Sequence, residues 1–223
     1  MEQSARDEIL GRLKSATKKA IPPRPDRPVL KELSLTKHEL IETFSKNFAE
    51  ETGILHRVKD CLEVLEKLSR IAKEEGLKKV MISTDAVVSS LDMAAWGQDN
   101  HVQIMTPRDF AGRDAFRDAV FLEADGGITG VDFAVAESGT LGLIHDKDQA
   151  RLISLAPILH IAIVPVERIV AVYEQVTEKI FGKKENLPSQ FCFITGPSMT
   201  GDIQGVLFKG MHGPRKLIAI LVG

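Results

Sequence analysis

Glycine, proline and small hydroxyl residues crowd together in Thr195-Gly196-Pro197-Ser198-Met199-Thr200-Gly201-Asp202-Ile203, directly after the apolar run Phe191-Cys192-Phe193-Ile194 and shortly before His212-Gly213-Pro214. Glycine lets a ligand approach the backbone. Gly196, Ser198 and Thr200 offer N–H and hydroxyl donors suited to a phosphate or carboxylate. Asp202 is placed to cap a following helix or to orient a ligand hydroxyl. His212, in a glycine-containing turn, is a candidate acid or base, or else a solvent-facing turn histidine. The apolar run predicts a buried strand, and open α/β sheets bind ligands just beyond such strand ends.

A second segment has similar chemistry. Glu137 sits in Ala136-Glu137-Ser138-Gly139-Thr140. A carboxylate in such a turn can act as general base or nucleophile, with Ser138, Gly139 and Thr140 holding a ligand beside it. A surface turn glutamate is the alternative. Thr129 and Gly130, in Gly126-Gly127-Ile128-Thr129-Gly130, are candidates for the border of the same pocket. That segment follows a predicted helix and reads as a turn. It is neither a dinucleotide fingerprint, which needs a strand before the glycines, nor a P-loop. Arg151 can bind an anion or pair with Glu137. His160 reads as a strand-edge residue. The six histidines form no HxH or HExxH arrangement, and no metal site is expected. The two cysteines, Cys61 and Cys192, form no CxxC and cannot supply the thiolates of an iron–sulfur cluster.

Elements must position these residues. Residues 1–20 have Ile9, Leu10, Leu13 and Ala20 at roughly helical spacing, and prolines from Pro22 to Pro28 then form a stiff linker. Thr36-Lys37-His38-Glu39 is a capping box opening a helix with Leu40, Ile41, Phe44 and Phe48 on one face, closed at Gly53. A second helix carries Val58, Leu62, Leu65, Leu68 and Ala72 inward and ends near Gly76. Strands are predicted at 80–82, 102–105, 133–136, 141–144, 161–164, 191–194 and 217–222. Helices are predicted at 85–96, 113–124 and 166–181, with a solvated loop at 183–186. Strands 133–136 and 141–144 flank the Glu137 turn as a hairpin. Continuous apolar strands separated by helices indicate an α/β fold with a mostly parallel sheet flanked by helices. Residues 1–35 form an N-terminal helix and proline-rich linker, and 36–223 the α/β domain.

Composition narrows the class. The chain has 223 residues, 43% hydrophobic and only 5% aromatic, so its core must rest on Ile, Leu, Val and Ala. A net charge of −2 offers no global basic field for nucleic acid. No apolar run approaches the roughly 20 residues of a membrane span. The polar first residues do not read as a secretory signal, and free thiols fit a reducing compartment, so a cytoplasmic location is expected.

Taken in order, Ala136-Glu137-Ser138-Gly139-Thr140-Leu141, Arg151-Leu152-Ile153-Ser154-Leu155-Ala156-Pro157, His160-Ile161-Ala162, Thr195-Gly196-Pro197-Ser198, Thr200, Asp202-Ile203 and His212-Gly213-Pro214 resemble the signature of the LUD domain. The likeness runs over roughly residues 40–222 and is nearest the short, stand-alone lactate utilisation protein C type. The resemblance implies a fold related to ribose-5-phosphate isomerase and coenzyme A transferases. It also implies a subunit or accessory protein of an iron–sulfur system oxidising L-lactate to pyruvate. Any clusters would then sit on partner proteins, and this chain would contribute a small-anion pocket. The alternative is a stand-alone acyl-transfer or phospho-metabolite enzyme of the coenzyme A transferase-like superfold, in which Glu137 attacks an acyl carbonyl. A metabolite-binding sensor is a further reading.

Overall fold

The computed structural model describes residues 5–16, 34–182, 187–203 and 206–223, without the side chains of residues 202, 203, 206 and 207. The prolines at 22–28 and the loop at 183–186 lie outside the described residues. The chain divides into two units, Met1–Lys31 and Glu32–Gly223. In the first, α1 (Ala5–Ser15) is a helix with no buried residue and an Arg12–Glu8 pair one turn apart.

The second unit opens with α2 (Lys37–Glu50). Thr36 Oγ1 accepts from the Glu39 N–H, and the Glu39 carboxylate accepts from the Thr36 N–H, which completes the capping box. Phe44 and Phe48 point inward, as the helical spacing requires. The helix stops before Gly53. Thr52 takes the left-handed turn at φ 62°, and an added side chain on Gly53 would strike the Phe48 ring. A strand absent from the sequence reading, β1 (Ile54–Val58), follows. It lies at the sheet edge, and only Val58 of its five residues is buried. Asp60 then caps α3 (Cys61–Glu75), which ends on left-handed Gly76.

Alternating strands and short helices come next: β2 (Lys79–Ile82), α4 (Ala86–Ser89), α5 (Met93–Asn100), β3 (Gln103–Met105), α6 (Arg113–Leu122) and β4 (Gly126–Gly130). The single helix expected at 85–96 is split into α4 and α5, with Asp85 and Asp92 capping each in turn. The run 126–130, expected to be a turn, is instead a fully buried strand. Its glycines serve packing: an added side chain on Gly127 would come within 1.9 Å of the Ile153 carbonyl oxygen.

The hairpin appears as β5 (Phe133–Val135) and β6 (Thr140–His145), antiparallel around a 3-10 turn at Ala136–Ser138. Then follow α7 (Leu152–Leu155), β7 (Leu159–Pro165), a 3-10 turn at Val166–Arg168, β8 (Ile169–Val170) and α8 (Tyr173–Phe181). The helix expected at 166–181 therefore begins seven residues late. The β-branched run Ile169-Val170 is drawn into a strand beside β5 instead. The chain closes with β9 (Gln190–Ile194), β10 (Met199–Ile203), β11 (Val206–Lys209) and β12 (Lys216–Val222).

Six strands form the central sheet in the order β1-β12-β7-β4-β2-β3, all parallel. Its middle strands are buried on both faces. Ile161 and Ile163 of β7 and Ile218 and Ile220 of β12 pack with α3, α4 and α5. Ala162, Val164, Leu217, Ala219 and Leu221 face the other way, toward α2 and the hairpin. This double burial explains the uninterrupted apolar runs in both strands. A second sheet, β8-β5-β6-β9, shares the α2 core, and β10 and β11 form a separate ribbon. The Phe191 strand is therefore not a buried parallel strand. β9 is an antiparallel partner of β6 with only partly covered side chains.

Candidate functional site

The central sheet has a switch point between β2 and β4. From β2 the chain moves outward to β3, and from β4 it returns the other way to β7. Crevices at such points, beyond the carboxyl ends of the strands, are where parallel sheets bind ligands. Ser83, Thr84 and Asp85 follow β2 here, and Val131 and Asp132 follow β4. The Asp85 carboxylate accepts from the N–H groups of Gly130 at 3.0 Å and Val87 at 2.8 Å, and from the Ser83 hydroxyl. It thus welds β4 to β2 while capping α4. Gly130 must be glycine, because an added carbon would lie 2.2 Å from Asp85 Oδ1. Asp132 accepts from the Ile144 N–H at 2.7 Å and from Gln149 Nε2 at 3.1 Å. Burial pushes its carboxyl above the ordinary range, against the opposing pull of the Ile144 N–H and the Arg168 cation.

Arg168 stands half-buried at the same end of the sheet. Its Nη1 donates to the Val131 carbonyl at 2.6 Å, and it makes no ion pair among the described residues. It lines a cleft of about 450 Å³ at the carboxyl ends of β1, β7 and β12. Lys59, Cys61 and Ser90 contribute polar groups, as do the acids Asp60 and Glu167; Val64, Leu91 and Pro165 contribute apolar wall. The amino ends of α3 and α4 also border it.

The Glu137 turn lies elsewhere, at the end of the second sheet. Glu137 is exposed, and its Oε1 accepts the Tyr173 N–H at 2.9 Å. Val172, the residue that should cap α8, makes no side-chain cap bond, so Glu137 caps that helix from a distance in sequence. Arg151 makes no bond to it; it is exposed at the start of α7. Gly139, at φ 63°, is pressed on α2: an added carbon would lie 2.2 Å from the Phe48 amide nitrogen. Ser138, Thr140, Tyr173 and Thr195 then form a ring of hydroxyls. Ser138 Oγ donates to Tyr173 at 2.8 Å, and Thr140 Oγ1 lies 2.8 Å from Ser138, 2.6 Å from Tyr173 and 2.7 Å from Thr195. Each hydroxyl has one proton. With Ser138 donating to Tyr173, Thr140 must donate to Ser138, and Tyr173 and Thr195 must both donate to Thr140. All four protons are consumed inside the cluster. As it stands, the ring has acceptors to offer a ligand and no hydroxyl donor.

Thr140–Thr195 is the contact that joins the two segments picked out from the sequence. Beyond it, Gly196 at φ 76° packs on the end of α2, with an added carbon 2.5 Å from the Glu51 carbonyl oxygen. Ser198 clasps the turn before β12. Its N–H donates to the Pro214 carbonyl at 2.8 Å, its carbonyl accepts from the Gly210 N–H at 2.9 Å, and its Oγ accepts from the His212 N–H at 3.3 Å. His212 itself is exposed. Thr200 pairs with Phe208 in the β10–β11 ribbon. Asp202 lies within β10, and β11 is the next described element, so the helix-cap role does not arise; its side chain lies outside the described set.

Thr129 is fully buried within β4, and its hydroxyl lies 2.9 Å from His160 Nε2 on neighbouring β7. His160 is not at a strand edge but at the sheet centre, with burial holding its pKa down at about 3. His145 beside it is also held below the ordinary histidine value, chiefly by burial. Among the described residues, His160 Nδ1 and His145 Nε2 have no partner. The sequence reading thus missed Asp85, Asp132, Arg168, Tyr173 and His145. Asp85 had a local signal, an aspartate between an apolar strand and Ala86-Val87-Val88. Arg168 and Asp132 had none. Among the described residues no group of three His, Cys, Asp or Glu side chains could hold a metal, and no helix is long and apolar enough to cross a membrane.

The LUD domain family matches residues 41–222. The chain belongs to the LUD-domain family. Relatives named "Lactate utilization protein C" include those of Anoxybacillus flavithermus, 31% identical over 72% of this chain and 70% of that protein, and Oceanobacillus iheyensis, 44% identical over 45% and 44%. "Lactate utilization protein C 1" of Bacillus mycoides is 34% identical over 71% of this chain and 69% of that protein. The chain thus spans under half of the Oceanobacillus protein in that match and over two thirds of the other two. A DUF162 family protein from Deinococcus radiodurans has the same fold, with a TM-score of 0.63 at 22% identity over 85% of this chain and 99% of that one. The central parallel sheet flanked by helices is therefore the LUD architecture, as the motif order implied.

Proposed function

We propose that this LUD protein is a cytoplasmic component of a lactate-utilisation system that oxidises L-lactate to pyruvate, and that it holds a small carboxylate in the cleft beside Arg168. The observation that carries the ligand part is Arg168: a half-buried guanidinium without an ion pair among the described residues, fixed by the Val131 carbonyl and lining a cleft at the carboxyl ends of β1, β7 and β12. A guanidinium held this way keeps further N–H groups for a carboxylate, which it can meet in a two-pronged geometry. The relatives' names support the choice of lactate.

Oxidation of lactate releases two electrons and two protons. Cys61 on α3 and Cys192 on β9 do not make a cluster site, so iron–sulfur partner proteins would receive the electrons. This reading places the anion pocket at the carboxyl edge of the central sheet rather than at the hydroxyl ring of Ser138, Thr140, Tyr173 and Thr195, whose protons are committed.

Calorimetric titration of the purified protein with L-lactate, pyruvate and inorganic phosphate tests the ligand. Saturable binding of a carboxylate, weakened at least about tenfold in Arg168→Met, is the expected result. Binding that survives Arg168→Met would place the ligand elsewhere. Isolation of the tagged protein from its host grown on lactate, with an absorption spectrum, tests the partners: stoichiometric cysteine-rich iron–sulfur proteins are expected, and a colourless lone protein would overturn the assembly.

A further inference from the structure

The opposite edge of the central sheet, at the amino ends of β7 and β12, carries a second surface with different chemistry. α6 buries Phe116, Ala119 and Val120 and leaves Phe121 59% and Leu122 81% exposed. Ile158, just before β7, is 68% exposed, and Met211 is 62% exposed. Folding gains nothing from leaving these large apolar side chains in water, and an apolar patch of this kind marks contact with another molecule.

Two grooves, of about 650 and 530 Å³, run across this surface and share Phe121 and Leu152, so they are continuous. Their charged lining is lopsided. Arg113, Arg117, Arg151, Lys209 and Arg215 face them, with His212, against the single acid Asp114. Arg117 is tied to Asp114 and Asp118, but Arg113, Arg151 and Arg215 make no ion pair among the described residues. A chain whose net charge is −2 has therefore gathered unpaired cations around one apolar floor. A second copy docking through this same surface across a two-fold axis would bring arginines against arginines. The complementary occupant carries carboxylates over apolar anchors.

We infer that this groove docks an acidic amphipathic segment of a partner protein. Its apolar residues seat on Phe121, Leu152 and Ile158, and its carboxylates meet Arg113, Arg151 and Arg215. The inference rests on the reading that the protein works with partners and is independent of the Arg168 cleft.

A fluorescein-labelled helical peptide with leucines at i, i+3, i+4 and i+7 and glutamates between them is the probe. Fluorescence anisotropy should show saturable binding to the full chain. It should weaken at least about tenfold in Arg151→Glu/Arg215→Glu and in Phe121→Asp, and weaken with added salt. Arg168→Met should leave peptide binding unchanged, so failure of the carboxylate cleft and failure of this groove read out separately. Three results would overturn the inference: peptide binding no tighter than that of a scrambled peptide of equal charge, preferential binding to phosphatidylserine vesicles, or self-association abolished by Phe121→Asp in sedimentation. Phe121, Arg151 and Arg215 lie on the surface, and circular dichroism checks that every variant, Arg168→Met included, folds.

Discussion

Thr140 Oγ1 serves three other hydroxyls at once, and so joins β6, α8 and the loop after β9 through one atom. Its removal leaves half-buried Ser138 and Tyr173 and exposed Thr195 each short of a partner around the buried Thr140 position. Thr140→Val should cost about 1–3 kcal/mol in urea denaturation, with most of the loss restored in Thr140→Ser. Glu137 illustrates how one residue carries two readings. Its place in a glycine turn suggests a base or nucleophile; its geometry makes it the cap of α8. Glu137→Gln keeps the acceptor for the Tyr173 N–H and should unfold at nearly the wild-type urea midpoint, whereas Glu137→Ala should unfold earlier. Acyl exchange lost in Glu137→Gln at unchanged stability would point instead to the nucleophile reading.

At the scale of elements, glycines decide how closely the layers approach. Gly127 lets α7 lie on β4, and Gly139 lets the hairpin turn lie on α2, where Asn47 Nδ2 also reaches the Ala136 carbonyl at 2.8 Å. In both places the obstructing atoms are backbone, which cannot swing aside. Gly127→Ala and Gly139→Ala should each lower stability by about 2–3 kcal/mol or more, read from denaturant midpoints, with Gly139 adding strain from its positive φ. The misreading of 126–130 has the same origin. Glycine is a turn signal in a local window, and only the position of α7 shows that this strand needs it. The segment 166–181 failed for a related reason: its apolar spacing suits a helix, but β5 offers Ile169 and Val170 a strand partner.

For the whole molecule, the buried histidines set the response to acid. The His160 pKa falls from 6.5 to about 3 on folding, so between those values the unfolded chain binds the extra proton. Stability then rises with pH across that window and is lost on acidification, by up to about 1.4 kcal/mol per pH unit for each such group. His145 acts in the same direction. Asp132, raised by burial, opposes it at the acid end, because there the folded state holds the proton. Urea midpoints measured from pH 7 to pH 4 should fall steadily, and His160→Asn should flatten that slope. An unchanged slope would show that His160 does not govern it.

Val58, expected on the second helix, lies in β1, whereas the capped start of α2, the Gly76 stop, the apolar strands β7 and β12 and the ordered string of family motifs were all determined by the sequence itself. Each depends on residues within a few positions of one another, where spacing, capping and β-branching act directly. The tertiary structure decided which strands pair, and with that the site. Arg168, Asp132 and Asp85 lie far apart in the chain and meet only because β2, β4 and β7 are neighbours in one sheet. Thr195 meets Thr140 only because β9 lies antiparallel to β6. Contacts over such separations leave no local periodicity to read, since the energy that selects them comes from the joint burial of surfaces on distant segments.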